Sequence, residues 1–422
     1  MPARSPLKLL QHFIVVAGFL VAPLLLVGCA TLPRNPVPLG LDGPAAVAGM
    51  PEVRAWAGRT SPVMQADFEA SLQQERKEDF PVGPDGRLRY PHLALSGGGA
   101  NGAFGAGFLS GWSQSGSRPV FKMVTGVSTG ALMAPFAFVG PQYDALLKRF
   151  YTTTTNAEVY QRNSRLATLF RRDALAETTP LAALLERSVD ADLLRHVADA
   201  HRQGRRLYIG TMDLDSRQFV VWNMGMIAAS GRPESLALFR KIMLASSSVP
   251  IAFPPVFFDV AVDGRHYDEM HVDGFVGATV FLNVGIFNVA QIYRSQGRSN
   301  AYEDIYVIHN GQFRATPRPA RRSLGGIALR VIDTASRAGL VGDLFREYAF
   351  AQRDGSRFHW VTIRQSVELP DGLDFDPAAM MRLYDVGFEA AQGGPQWLTE
   401  PPGFSDRRCA AQDGSAQCGD AR

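Results

Sequence analysis

The chain has 422 residues, 46% of them hydrophobic and 20% charged, with a formal net charge of +3. That is the composition of a globular protein, long enough to bury a large core as one big domain or two ordinary ones. The arginine pairs at 171–172, 205–206 and 321–322 are scattered and read as solvated surface. Nucleic-acid binding needs a basic face, so no nucleic-acid partner is expected.

At the N-terminus, Arg4 and Lys8 precede an uncharged apolar run over 13–27 that contains Pro23 and ends Leu26-Val27-Gly28-Cys29. A membrane-spanning helix needs about 20 apolar residues, so the run is short for one. Its length and flanks instead predict a signal peptide over residues 1–28. The end of the run is similar to a bacterial lipoprotein lipobox. That resemblance implies lipid attachment at Cys29 and anchoring to the cell envelope. Ala30, where an Asp would signal otherwise, implies sorting to the outer membrane.

Residues 29–60 are rich in Pro, Gly and Ala and read as a tether. A charged helical segment is expected over 61–89, and the globular domain over 90–395. Within it, 92–96 reads as a strand that breaks into Gly97-Gly98-Gly99, with a helix over 103–112. A second strand, 121–127, runs into Ser128 and a helix over 131–139. The segment 141–203 is helical in pattern. Residues 206–214 and 218–223 read as strands, 236–246 as a helix, and 256–272 as a hairpin turning at Asp263-Gly264. A strand over 305–309, one or two helices over 324–352, a strand over 358–363 and a helix over 377–391 follow. Strands alternating with helices predict an α/β fold, a sheet covered on both faces. Residues 396–422 form a polar tail holding Cys409 and Cys418. In an exported chain these two could form a disulfide closing a small loop. Their spacing does not resemble a zinc site, so metal catalysis is not expected.

Three segments carry chemistry. Gly126-Val127-Ser128-Thr129-Gly130 is G-x-S-x-G at a strand-to-helix junction, where a sharp turn can project a serine hydroxyl for attack. One strand earlier, Gly97, Gly98, Gly99 and Gly102 leave backbone amides bare. Such amides can hold a tetrahedral oxyanion, an effect worth on the order of 3 kcal/mol per donor. These glycines also satisfy a dinucleotide fingerprint, but that needs an acidic residue about 20 positions on, and none lies between Asp85 and Asp144. Asp273-Gly274, after the hairpin, offers a carboxylate that could serve as base if partly desolvated.

Together these motifs resemble the patatin-like phospholipases. The Ala245-Ser246-Ser247-Ser248-Val249-Pro250 segment, Gly210-Thr211-Met212-Asp213 and Gly387 add to the likeness. The resemblance implies a three-layer fold around a mixed, mainly parallel sheet. It further implies lipid acyl-ester hydrolysis by a Ser128–Asp273 dyad without histidine, with Gly98 and Gly99 as oxyanion donors and no metal or cofactor. The implied partners are a lipid substrate and a membrane surface. Asn101 stands where the family usually has Arg or Lys, and Phe275 where it usually has a small residue. Phe275 would either narrow the acyl pocket or turn into the core.

Two other readings stay open. An α/β-hydrolase triad could draw on Ser128, Asp213 or Asp263, and His309 or His359. A catalytically inactive envelope lipoprotein that binds lipid is the other, and Phe275 would favour it. The apolar stretch 251–258 lines an acyl pocket, touches lipid or forms a buried strand, and Asp268, Glu269 and His271 are expected at the surface.

Overall fold

The computed structural model describes residues 32–404 except 42–44, 48, 84, 164–172 and 283. The expected signal peptide, Cys29, Cys409 and Cys418 lie outside the described residues.

The strands in chain order are β1 (Ala46–Val47), β2 (Arg54–Trp56), β3 (Leu88–Leu95), β4 (Met123–Val127), β5 (Gln161–Arg162), β6 (Ala176–Glu177), β7 (Arg206–Asp213), β8 (Gln218–Asn223), β9 (Val256–Val262), β10 (Arg265–Asp273), β11 (Ala301–His309) and β12 (Arg357–Thr362). The main helices are α1 (Pro62–Gln74), α2 (Gly102–Gln114), α3 (Thr129–Val139), α4 (Asp144–Thr153), α5 (Asn156–Val159), α6 (Thr179–Ser188), α7 (Ala191–Arg202), α8 (Met224–Ala229), α9 (Ser235–Ser246), α10 (Val289–Ser295), α11 (Leu324–Asp354) and α12 (Pro377–Gln392).

Ten strands form one sheet in the order β1-β9-β10-β7-β4-β3-β11-β12, with β8 paired to β7 and β2 to β8. From β7 through β4, β3 and β11 to β12 every pairing is parallel; the strands on the β9 side run antiparallel. The central parallel strands β4, β3 and β11 are buried on both faces along most of their length, unlike β12 at the edge. Successive side chains still part to opposite sides. Leu93, Leu95, Tyr306 and Ile308 join one core, with α2, α3, α9 and α12. Tyr90, Ala94, Ile305 and Val307 join a second, with α1, α10 and the C-terminal half of α11. The result is the expected three-layer α/β architecture around a mixed, mainly parallel sheet.

Three expectations change. The stretch read as a tether adds two strands to the sheet: β1 pairs with β9 and β2 with β8. Arg34 bonds to Asp215 and Asp268, and Arg54 makes a buried, two-pronged ion pair with Glu269. Prolines there exclude helix but not edge pairing. Glu269 and His271, expected at the surface, are 2% and 0% exposed, because the N-terminal strands cover them. The C-terminal edge placed at 395 falls inside a packed region. Trp397 lies edge-on against Phe108 and Trp112, and Leu398 exchanges backbone hydrogen bonds with Trp360.

Candidate active site

The sheet brings two distant strand ends together. Strand β8 occupies one edge of β7 from Tyr208 to Asp213, so β4 and β10 must share the other edge. They do so end to end. Val127 stands opposite Gly210 and Asp273 opposite Thr211, consecutive positions on β7. Ser128 and Asp273 are therefore neighbours although 145 residues apart in sequence.

Ser128 leaves β4 with φ 55° and ψ −126° before α3 begins at Thr129. Positive φ at a residue with a Cβ is strained, by about 1–3 kcal/mol, and persists only where the surroundings enforce it. Here they do. A Cβ on Gly126 would strike the Gly130 carbonyl, and one on Gly130 the Leu95 carbonyl. The flanking glycines are thus demanded by close packing of turn, strand and helix. The Ser128 amide donates to Ser246 Oγ at 3.0 Å, which itself donates to the Gly210 carbonyl at 2.7 Å. Ser247 Oγ reaches the Ser128 carbonyl at 3.3 Å. In sequence Ser246 and Ser247 had stood only as part of a motif. Three consecutive serines ending a helix were the available signal for their bracing part.

Ser128 Oγ donates to Asp273 Oδ2 at 2.6 Å. The other carboxylate oxygen accepts the Phe275 amide at 3.0 Å, and the Asp273 amide donates to the Ser248 carbonyl at 2.9 Å. Asp273 is fully buried. Burial pushes its carboxyl up to about 8, against the opposing pull of the Phe275 amide and the Ser128 hydroxyl. Gly274 must lack a Cβ, which would strike the Gly210 carbonyl.

The glycine loop closes the third side. Gly97 lies so near Ser128 that an added Cβ would sit 3.2 Å from the Ser128 Cβ. Gly98 has φ 155° and Gly99 φ 58°, and a Cβ on either would collide with the Asn310 or Gly372 carbonyl. Neither amide has a hydrogen-bond acceptor among the described residues, whereas the next one, Ala100, donates to Gly372 at 2.8 Å. Gly102 packs against Thr129 and Tyr151, joining the two motifs. Asn101 is buried, and its Oδ1 has no partner among the described residues.

An apolar pocket opens beside Ser128 and Gly99. Its walls are apolar: Leu132, Phe150, Leu181, Leu184, Phe253 and Met380 among them. Of the apolar stretch 251–258, Phe253 faces this cavity while residues from Val256 onward form β9. Phe275 does not line it; its ring packs against the opposite core.

The histidines of the triad reading stand elsewhere. His309 Nδ1 meets Ser96 Oγ at 3.1 Å, and burial holds its ring down at about 4. His359 pairs with Asp304 at 2.7 Å. Asp213 accepts from the Asp215 amide and Ser216, and Asp263 is an exposed hairpin-turn residue. Among the described residues no histidine is hydrogen-bonded to Ser128. Asp213, Glu269 and His271 bring their ligand atoms within 4.8 Å of one another, a grouping that could hold a metal ion. Arg54 already takes both Glu269 oxygens, so this donor set does not suit a cation. No helix among the described residues is long and apolar enough to cross a membrane.

Residues 93–284 match the family described as patatin-like phospholipase. No curated protein matches the chain. Among solved structures it is similar to the crystal structure of VipD from Legionella pneumophila, at 11% identity over 73% of this chain and 70% of that chain, with a TM-score of 0.32.

Proposed function

With a patatin-like phospholipase domain over residues 93–284, and lipid acyl hydrolysis as the activity at family level, we propose that this chain cleaves carboxylic esters of lipids through a Ser128–Asp273 dyad. The observation that carries the reading is the 2.6 Å bond from Ser128 Oγ to a buried carboxylate, at the mouth of an apolar cavity. The acyl chain enters the cavity, and its carbonyl carbon meets Ser128 Oγ. Asp273 takes the hydroxyl proton as the C–O bond forms. The carbonyl oxygen becomes an oxyanion that the Gly98 and Gly99 amides can bind. Collapse breaks the ester bond, and Asp273 returns the proton to the departing alcohol. Water, deprotonated by the same carboxylate, then attacks the acyl-serine and releases the fatty acid. No histidine is needed, because the carboxylate reaches Oγ directly.

The test is fluorophosphonate labelling together with hydrolysis of a p-nitrophenyl acyl ester. Ser128→Ala should lose the label, and both Ser128→Ala and Asp273→Asn should lose activity by about four orders of magnitude, while His309→Ala and His359→Ala retain it. Full activity in Ser128→Ala would end the proposal.

We also propose that Cys29 carries lipid and anchors the domain to the envelope, outer membrane included, on the strength of the Leu26–Cys29 segment. Radiolabelled palmitate fed to expressing cells should enter the wild-type chain and not Cys29→Ser. Equal labelling of both would reject the anchor.

A further inference from the structure

Helix α11 is built in two halves. Leu340 and Leu344 in its C-terminal half are buried against the sheet. In the N-terminal half, Leu324, Ile327 and Val331 are 88%, 51% and 61% exposed. Their spacing of three and four places all three on one stripe of the helix, continued by exposed Ala335 and Ala338. Leu329, on the opposite face, packs toward the core.

The charge around this stripe is one-sided. Residues 314–339 hold six arginines and one aspartate, a net charge of +5, more than the +3 of the whole chain. Arg337 pairs with Asp333. Arg314, Arg318, Arg321, Arg322 and Arg330 have no carboxylate partner among the described residues. Arg318 donates to the Leu369 carbonyl and Arg330 to the Arg318 carbonyl. Two arginine pairs that looked unremarkable when spread along a sequence thus differ: the 205–206 pair is buried, while the 321–322 pair flanks an exposed apolar stripe.

The location matters as much as the chemistry. Arg318 and Gln312 are bonded to the loop over 364–376. That same loop supplies Leu373 and Phe375 to the cavity wall, and Gly372 to the glycine loop beside Ser128. The segment leading into the stripe and the cavity wall are therefore linked through one loop.

We propose that residues 314–338 form a docking face for an anionic lipid surface, with Leu324, Ile327 and Val331 entering the headgroup–acyl boundary and Arg321 and Arg322 meeting lipid phosphates. Exposed aliphatic side chains flanked by unpaired arginines suit an interface that is apolar below and negative above. An acidic protein would satisfy the charges but has no evident need of so fully exposed a leucine.

The test does not depend on catalysis. Hydrogen exchange is followed in the full chain carrying Ser128→Ala, so that the lipid stays intact. Vesicles are phosphatidylcholine alone, or phosphatidylcholine with about one third phosphatidylglycerol. An anchor at Cys29 would bring the chain to either vesicle, so the local protection is read rather than total binding. In peptides covering 314–338, exchange should slow on the order of tenfold on anionic vesicles and little on neutral ones. That difference should be lost in Arg321→Gln/Arg322→Gln and in Ile327→Ser/Val331→Ser, with peptides of β3 and β4 unchanged. Equal slowing on both vesicles, slowing on neither, or slowing that follows protein concentration without lipid would overturn the proposal.

Discussion

Asp273 sits in the sheet with no basic side chain among the described residues hydrogen-bonded to it, and only the Phe275 amide and the Ser128 hydroxyl oppose its desolvation. Only its deprotonated form can accept the Ser128 proton. With its carboxyl held up at about 8, kcat/KM for a neutral ester should rise with pH and level off above a midpoint near 8, a limb readily measured with p-nitrophenyl acetate. The same burial has a stability consequence. A carboxyl whose folded value lies above its ordinary one contributes stability that is complete below about 3.8 and lost as pH rises through about 8. Asp273→Asn keeps the shape and removes the charge. It should melt above wild type at about pH 9, with the gap closing toward about pH 4; equal melting curves across that range would show a solvated carboxylate instead.

Helices α2 and α12 meet through glycines. A Cβ on Gly107 would strike the Tyr384 carbonyl, and one on Gly387 the Phe104 carbonyl. Glycine normally weakens a helix, by about 1 kcal/mol relative to alanine; here backbone-to-backbone contact requires it. Gly107→Ala should therefore destabilise by about 1–3 kcal/mol in urea titration, as overpacking does. Gly342 in α11 has open space around its Cβ position. Gly342→Ala should gain about 0.5–1 kcal/mol by the same measurement. Identical effects at the two positions would mean that helix propensity alone governs both. Residues 102–111, most of them expected only as part of a helix, hold four glycines. Their meaning was not legible, since the partner helix lies some 270 residues onward.

At the scale of the whole molecule, the N-terminal strands act as a cover over the β9–β10 hairpin. Arg54 and Glu269 are both buried there. Burial works against Glu269 ionising, but hydrogen bonds from His271 and Arg54 win and hold its carboxyl down to about 2. Removing one member of a buried pair leaves the other uncompensated, so Arg54→Ala should cost about 3–5 kcal/mol. Equilibrium unfolding near neutral pH checks this, and a loss below about 1 kcal/mol would show that the cover is not bound through this pair. Because β10 carries Asp273 at its far end, such a variant should also lose the proposed esterase activity at temperatures where wild type is intact.

Local patterns already declared the parallel strands, the hairpin at Asp263-Gly264 and the two glycine-bearing turns, because burial on both faces and positive φ each leave a short-range signature. Ser128 and Asp273 stood out as candidates for a similar reason, one in a glycine-flanked turn after an apolar strand and the other in an Asp-Gly pair after the hairpin. Nothing local reveals a pairing partner. That β4 and β10 share one edge of β7, that a proline-rich stretch supplies edge strands, and that Glu269 and His271 lie beneath it were all settled by long-range hydrogen bonding. Amino-acid order specifies which segments can be strands; the choice of neighbour depends on how the entire set of apolar faces can be covered at once.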